Sequence, residues 1–98
     1  MKAVLLLKQK LTDADGDILE LVIWKVPMGT AHPKGVRYRL AFIPQGRDLP
    51  ALLYDNHHPK GPHKHSNGEE SLYGFVDVGR LIEDFQRDVA HWKKSRSD

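Results

Sequence analysis

Apolar residues form short runs or alternate with polar ones over the first two thirds of the chain, which is typical of strands. The runs AVLLLKQKL (3–11) and DILELVIWKV (17–26) are separated by TDADG, a plausible hairpin connection. Leu19, Leu21 and Ile23 lie in the second run, which is apolar on two sides near its middle. We therefore expect this part of the sheet to be buried on both faces or to contact a partner, and a homodimer is one open alternative.

The segment GVRYRLAFI (35–43) alternates, with Val36, Tyr38, Leu40 and Phe42 at one set of positions and Arg37 and Arg39 at the other. Its apolar residues point to one side of a strand, while Arg37 and Arg39 point to the other, ~6.6–6.8 Å apart along the chain. The segment ALLYDN (51–56) follows a turn and predicts a fourth strand, and SLYGFV (71–76) predicts a short extended piece.

The last segment changes to a helical period. Its apolar residues recur on one helical stripe: Val78, Leu81, Ile82, Phe85, Val89 and Trp92. Asp77 is a candidate N-cap, and Lys93, Lys94 and Arg96 suit the C-terminal end of the helix dipole. The pattern predicts a single α+β domain over residues 1–98. It is an antiparallel meander of four to five strands with one amphipathic C-terminal helix packed on a face, and residues 93–98 form a frayed tail.

Composition restricts the class of protein. The chain of 98 residues has no cysteine, which excludes disulfides and thiolate metal sites. The apolar run near Met1 stops at Lys8, and no stretch approaches the ~20 apolar residues that span a bilayer. We expect a soluble cytoplasmic protein with no membrane partner.

The net charge of +2 is mild, but its distribution is uneven. Basic residues concentrate in the middle third: Lys34, Arg37, Arg39, Arg47, Lys60 and Lys64. If this third forms one face it would attract a polyanion such as RNA, and scattered solvated charges are the alternative. The acidic turn DADGD lacks the glycine and glutamate positions of a calcium loop, so we interpret it as a turn.

The segment YDNHHPKGPHKH (54–65) holds four of the six histidines. If Pro62 to His65 is extended, the imidazoles of His63 and His65 share one side. A solvated turn, a catalytic or anion-binding site and a metal site are the three alternatives.

As a catalytic site, His63 and His65 would serve as base and acid on an RNA phosphodiester, without a cofactor. The cations that could hold the phosphate are Lys60, Lys64, Arg37 and Arg39. Asp55 or Asn56 could orient an imidazole, and Tyr54 could stack on a base, deliver a hydroxyl or pack in the core. As a divalent metal site, His63, His65 and Asp55 would be the ligands, joined by His32 if its loop folds back.

These segments in combination resemble the TumE family of toxin components of toxin–antitoxin pairs. The resemblance covers about residues 20–92 and rests on the RYR strand, YDN, KGxHxH and LxxDFxxDV motifs. The matching residues are His32, Tyr54, Asp55, Asn56, Lys60, Gly61, His63, His65, Asp84 and Phe85. His57, His58 and Pro62 depart from the family pattern, which leaves His57 and His58 as loop residues.

The resemblance implies a growth-inhibiting toxin with a cognate antitoxin, which in such pairs is often a helix-turn-helix DNA-binding protein. It does not supply the target. The paired histidines and nearby cations favour RNA, either cleaved by a metal-independent endoribonuclease or only bound. A non-catalytic nucleic-acid- or antitoxin-binding module and a small His-ligated metal-binding protein are the alternatives.

Overall fold

The computed structural model describes residues 2–57 and 59–97 of the chain. It has the α+β architecture that the sequence predicts: one antiparallel sheet followed by one C-terminal helix. The strands lie in the sheet in the order in which they occur along the chain. Their bounds are β1 Val4–Thr12, β2 Ile18–Lys25, β3 Val36–Ile43, β4 Leu52–Asp55, β5 His63–Ser66 and β6 Glu69–Leu72, and the helix α1 is Val78–Ser97.

The sheet has six strands, so the predicted number of four to five is wrong. The strand that was missed is β5, whose sequence HKHS has no apolar alternation to indicate a strand. The predicted extended piece 71–76 shares only Ser71 and Leu72 with β6. It is joined to β6 by Asn67 and Gly68, which have φ angles of 51° and 87°. Two positive φ angles are typical of the two-residue turn that connects antiparallel strands, so the Asn-Gly pair was the available signal.

The hydrophobic core lies between one face of the sheet and α1. Tyr38, Leu40 and Phe42 of β3 are buried there, as the alternation in this strand predicts. Leu81 and Phe85 of the predicted helical stripe are also fully buried. The Leu21 and Ile23 side chains belong to the same core. Burial in this core therefore explains one of the two apolar sides of β2.

The ends of α1 are fixed by polar side chains. Asp77 is the N-cap as predicted, because its Oδ1 accepts a hydrogen bond of 2.8 Å from the backbone N–H of Arg80. At the other end the helix continues to Ser97, within the stretch expected to fray, and Asp98 lies outside the described residues. Arg96 donates two hydrogen bonds, of 3.0 and 2.9 Å, to the carboxylate of Asp17.

The acidic turn between β1 and β2 is therefore an ion-pair site for the end of the helix. Lys93 Nζ lies 2.6 Å from Asp13 and 2.7 Å from Asp15.

Within the described residues, no helix is long and apolar enough to cross a membrane.

Candidate functional site

The three side chains of the YDN motif lie in three different environments. Tyr54 lies on the helix-covered face, where its hydroxyl is buried and donates a short hydrogen bond to Asp88 Oδ2. Burial is the main cause that raises the pKa of this hydroxyl well above its usual value. Tyr54 is thus part of the core, on the opposite side of the sheet from Asp55.

Asn56 is buried and bonded to the backbone of β3. Its Oδ1 accepts a hydrogen bond of 2.9 Å from Tyr38 N, and its Nδ2 donates one of 2.7 Å to the carbonyl of Val36. Both ends of the carboxamide are therefore engaged by the strand. The structure gives Asn56 a positioning role at the end of β4.

Asp55 lies on the face of the sheet that α1 does not cover. The strand register pairs Asp55 with Arg39 on one side and with His63 on the other. Arg37 and His65, two residues away along their strands, point to this same side. We call this side the open face; it carries Arg37, Arg39, Asp55, His63 and His65.

The His63 imidazole is at the centre of the open face and is only 3% exposed. Its Nδ1 lies 2.8 Å from the carbonyl oxygen of Gly61, and its Nε2 lies 3.1 Å from Asp55 Oδ1. A carbonyl oxygen can only accept a hydrogen bond, so Nδ1 carries a proton. Both ring nitrogens are therefore occupied by neighbours in this arrangement.

Two further histidines flank His63. His57 Nδ1 lies 3.1 Å from the same Asp55 Oδ1, and its ring centroid is 5.6 Å from that of His63. The ring of His65 also packs against His63, with centroids 5.1 Å apart. Among the described residues, the His65 ring has no hydrogen-bond partner. His57, which the sequence left as a loop residue, is thus part of the cluster, while His58 lies outside the described residues.

Of the two predicted lysines, Lys60 lies near the histidine cluster and Lys64 does not. Lys60 Nζ lies 2.6 Å from Glu70 Oε1, and this hydrogen-bonded pair lowers the pKa of Glu70. Lys64 is on the helix-covered face and lies 3.1 Å from Asp88 Oδ2. His32 lines a cavity of about 270 Å³ together with Asn56 and other loop residues. Lys64 is therefore on the opposite side of the sheet from the histidines, whereas the partner of Lys60, Glu70, lies within 4.8 Å of His63 and His65.

An open cleft of about 460 Å³ continues the open face toward β2. Val22, Trp24, Arg37 and Arg39 line this cleft, and the register pairs Trp24 directly with Arg37. Sequence reasoning missed Trp24 because it lies in an apolar run that could be explained by burial. The signal that could have found it is its position: residues 22 and 24 alternate with the core residues Leu21 and Ile23.

Comparison with known proteins decides the family. A family model described as Toxin TumE matches residues 2–93. The chain belongs to the TumE family. The TumE match covers all six strands and most of α1, so it extends beyond the stretch in which the sequence motifs were recognised. No curated protein and no solved structure matches the chain.

Membership of the TumE family makes this a toxin of a toxin–antitoxin system with a cognate antitoxin as partner. The helix motif LxxDFxxDV has a structural explanation here. Tyr73 donates a hydrogen bond of 2.6 Å to Asp84, and Tyr54 donates one to Asp88. The two aspartates thus connect α1 to β4 and to the segment that follows β6. Phe85 packs edge-on against Tyr54, with centroids 5.7 Å apart. These TumE motif residues stabilise the fold, whereas Asp55, His63 and His65 face solvent or one another on the open face.

Proposed function

We propose that this toxin acts on RNA, and that the open face of the sheet is where the RNA binds. One observation carries the proposal: Arg39, Asp55 and His63 are paired in register on three successive strands. Two exposed guanidinium groups are thereby placed beside a cluster of imidazoles and a carboxylate. Cations that hold a phosphate next to groups that move protons are the components that RNA cleavage needs.

Binding is supported by the cleft beside the arginines. Arg37 and Arg39 are exposed and would pair with backbone phosphates, while Trp24 offers an aromatic ring on which a base can stack. Arginines that lie next to an aromatic ring suit single-stranded RNA, because its bases are free to stack on the ring. The bases of a duplex are already stacked on each other.

For the chemical step, His65 is the base in this proposal. Its ring has no hydrogen-bond partner among the described residues, so a nitrogen is available to take the proton of a 2′-hydroxyl. The 2′-oxygen then bonds to phosphorus, the bond to the 5′-oxygen breaks, and the leaving oxygen takes a proton from water. Arg39 would stabilise the charged phosphorane, while Asp55 and the buried His63 position the reacting groups.

The test measures binding and cleavage of a labelled single-stranded RNA together with growth inhibition. The R37A/R39A double variant should bind RNA at least tenfold more weakly and show a smaller salt dependence, because each lost phosphate contact lowers the slope by about 0.7. The control is R87A/K94A, which removes two positive charges from exposed helix positions. It should bind like the wild type. Equal binding by both double variants would exclude the open face as the RNA site.

A second pair of variants separates catalysis from binding. H65A should bind RNA normally but lose cleavage, whereas H91A, which removes an exposed helix histidine, should keep both. If the wild-type protein binds RNA and leaves it intact, the toxin acts by binding alone. If H65A cleaves at the wild-type rate, His65 is not the base.

A further inference from the structure

We propose that Asp55, His57 and His63 form a binding site for one divalent transition-metal ion of the zinc class. Each of the three side chains offers one ligand atom, and these atoms lie within 4.8 Å of one another. The set differs from the one that the sequence predicts, because His57 takes the place of His65. Metal binding does not depend on whether RNA is the target of the toxin.

The orientation of His63 is the first support for this site. Its Nδ1–H donates to the carbonyl oxygen of Gly61, which leaves the lone pair of Nε2 directed at the carboxylate of Asp55. A lone pair and a carboxylate oxygen repel each other, so a positive species belongs between them, either a proton or a metal ion. Metal-binding histidines are commonly held in this way, with the remote nitrogen bonded to a backbone carbonyl.

The distances are the second support. Asp55 Oδ1 lies 3.1 Å from His63 Nε2 and 3.1 Å from His57 Nδ1. Zinc bonds of about 2.0–2.2 Å at tetrahedral angles place neighbouring ligand atoms about 3.3–3.6 Å apart. The observed separations of 3.1 Å are only slightly shorter than this, so the carboxylate and each imidazole could share an ion after a small outward movement.

The ligand chemistry selects the class of ion. Two imidazoles and one carboxylate suit zinc and its neighbours in the first transition row, whereas Mg²⁺ and Ca²⁺ prefer oxygen ligands alone. The His57 side chain is 59% exposed, so the site is open to solvent on that side. Three protein ligands with a fourth position left for water are typical of catalytic rather than structural zinc sites.

Two other groups of three possible metal ligands occur in the described part of the chain, but Lys or Arg side chains already pair with their carboxylates. His63, His65 and Glu70 also lie close together, but Lys60 already pairs with Glu70 at 2.6 Å. The trio of Asp13, Asp15 and Asp17 is bound to Lys93 and Arg96. By contrast, within residues 2–57 and 59–97 the carboxylate of Asp55 forms ion-pair contacts with imidazoles alone.

A metal ion here would lie beside His65, whose ring is 5.1 Å from that of His63. Water bound to such an ion is a stronger acid than free water. It could supply the proton for the leaving 5′-oxygen while His65 takes the proton of the 2′-hydroxyl. This consequence rests on the proposed function, but metal binding itself does not.

Calorimetry with Zn²⁺ and untagged protein, in the absence of RNA, tests the site. The wild type should bind one Zn²⁺ per chain, and H57A should bind at least tenfold more weakly. His57 is exposed, so its replacement should leave the fold intact. H91A is the matched control and should bind like the wild type, and so should H65A, which separates this trio from the one that contains Glu70.

Cobalt gives a second readout that does not depend on affinity. Co²⁺ bound by two imidazoles and a carboxylate in an open site should show visible absorption bands, and these bands should shift or vanish in H57A. Absence of Zn²⁺ binding by the wild type would mean that a proton alone joins Asp55 to His63. Loss of binding in H65A with retention in H57A would assign the metal to the other trio, and either result overturns the proposal.

Discussion

The side chain of Asn56 determines the direction of the chain after β4. Its carboxamide accepts a hydrogen bond from Tyr38 N and donates one to the carbonyl of Val36, so a side chain replaces the next pair of backbone hydrogen bonds between β3 and β4. The backbone can then turn away from β3, and His57, the next residue, places its Nδ1 3.1 Å from Asp55 Oδ1. The position of His57 therefore follows from the bonds of Asn56, whereas His63 and His65 are placed by β5.

Replacement of Asn56 by alanine should lower the free energy of unfolding by about 2 kcal/mol, because the buried N–H of Tyr38 would lose its acceptor. Urea denaturation at neutral pH measures this change. The control is Gln86→Ala, an exposed amide on α1, which should change the stability by less than about 0.5 kcal/mol. Equal effects of the two substitutions would show that the bonds of Asn56 contribute nothing to the fold.

The positions of only some of the site's side chains could be predicted from the sequence. The alternation at the start of β3 predicts that Arg37 and Arg39 share a side, and the HxH spacing predicts the same of His63 and His65. The contact of His57 with Asp55 was beyond prediction, because it depends on bonds between Asn56 and a strand 18 to 20 residues earlier. The placement of Trp24 likewise required knowledge of which face of the sheet α1 covers.

The hairpin of β5 and β6 presents His63 and His65, although its own sequence favours a strand only weakly. All four residues of β6 are exposed, so little hydrophobic burial holds this strand in place. The turn residues Asn67 and Gly68 are further tied to the fold, since Asn67 N donates to the carbonyl of Ala51 and Asn67 Oδ1 accepts from Trp92. The geometry of the turn therefore determines the register of the histidine strand.

Replacement of Gly68 by alanine should destabilise this hairpin. Its φ of 87° is unfavourable for a residue with a Cβ and costs about 1 kcal/mol, although no atom lies within 4 Å of the new methyl group. Gly74→Ala is the matched control, since that position has open space and no positive φ. Amide hydrogen exchange should show faster exchange in β5 and β6 for Gly68→Ala alone; unchanged protection would contradict the role given to the turn.

At the scale of the whole molecule, the order of the elements follows directly from the sequence. Each strand pairs with its neighbour along the chain through a connection of at most ten residues, so no long crossover had to be predicted. The contact between the first turn and the end of α1 could not be predicted, because the partners are about 80 residues apart. Local patterns show that residues 13–17 are acidic and that residues 93–96 are basic, but not that the two groups meet.

Asp17 is the centre of this contact and should make the stability of the fold sensitive to acid. It is fully buried, and the hydrogen bonds from Arg96 are the main cause that holds its pKa well below the usual 3.8, despite the opposing effect of burial. A depressed pKa means that the unfolded chain binds the proton more tightly. The stabilisation is therefore complete above the unfolded pKa, near 4, and is lost as the pH falls toward the lower, folded value.

Asp17→Asn should remove this contribution. At pH 7 the variant should unfold with about 2 kcal/mol less free energy than the wild type, because the charged hydrogen bonds to Arg96 and Lys93 are lost. As the pH is lowered from 5 to below 3, denaturant titrations should show the two stabilities converging, since the wild type alone has a proton to gain at residue 17. Asp48→Asn, at an exposed loop position, is the control and should follow the wild type throughout. A constant difference between Asp17→Asn and the wild type over this pH range would mean that Asp17 stabilises the fold by its shape and hydrogen bonds and not by its charge.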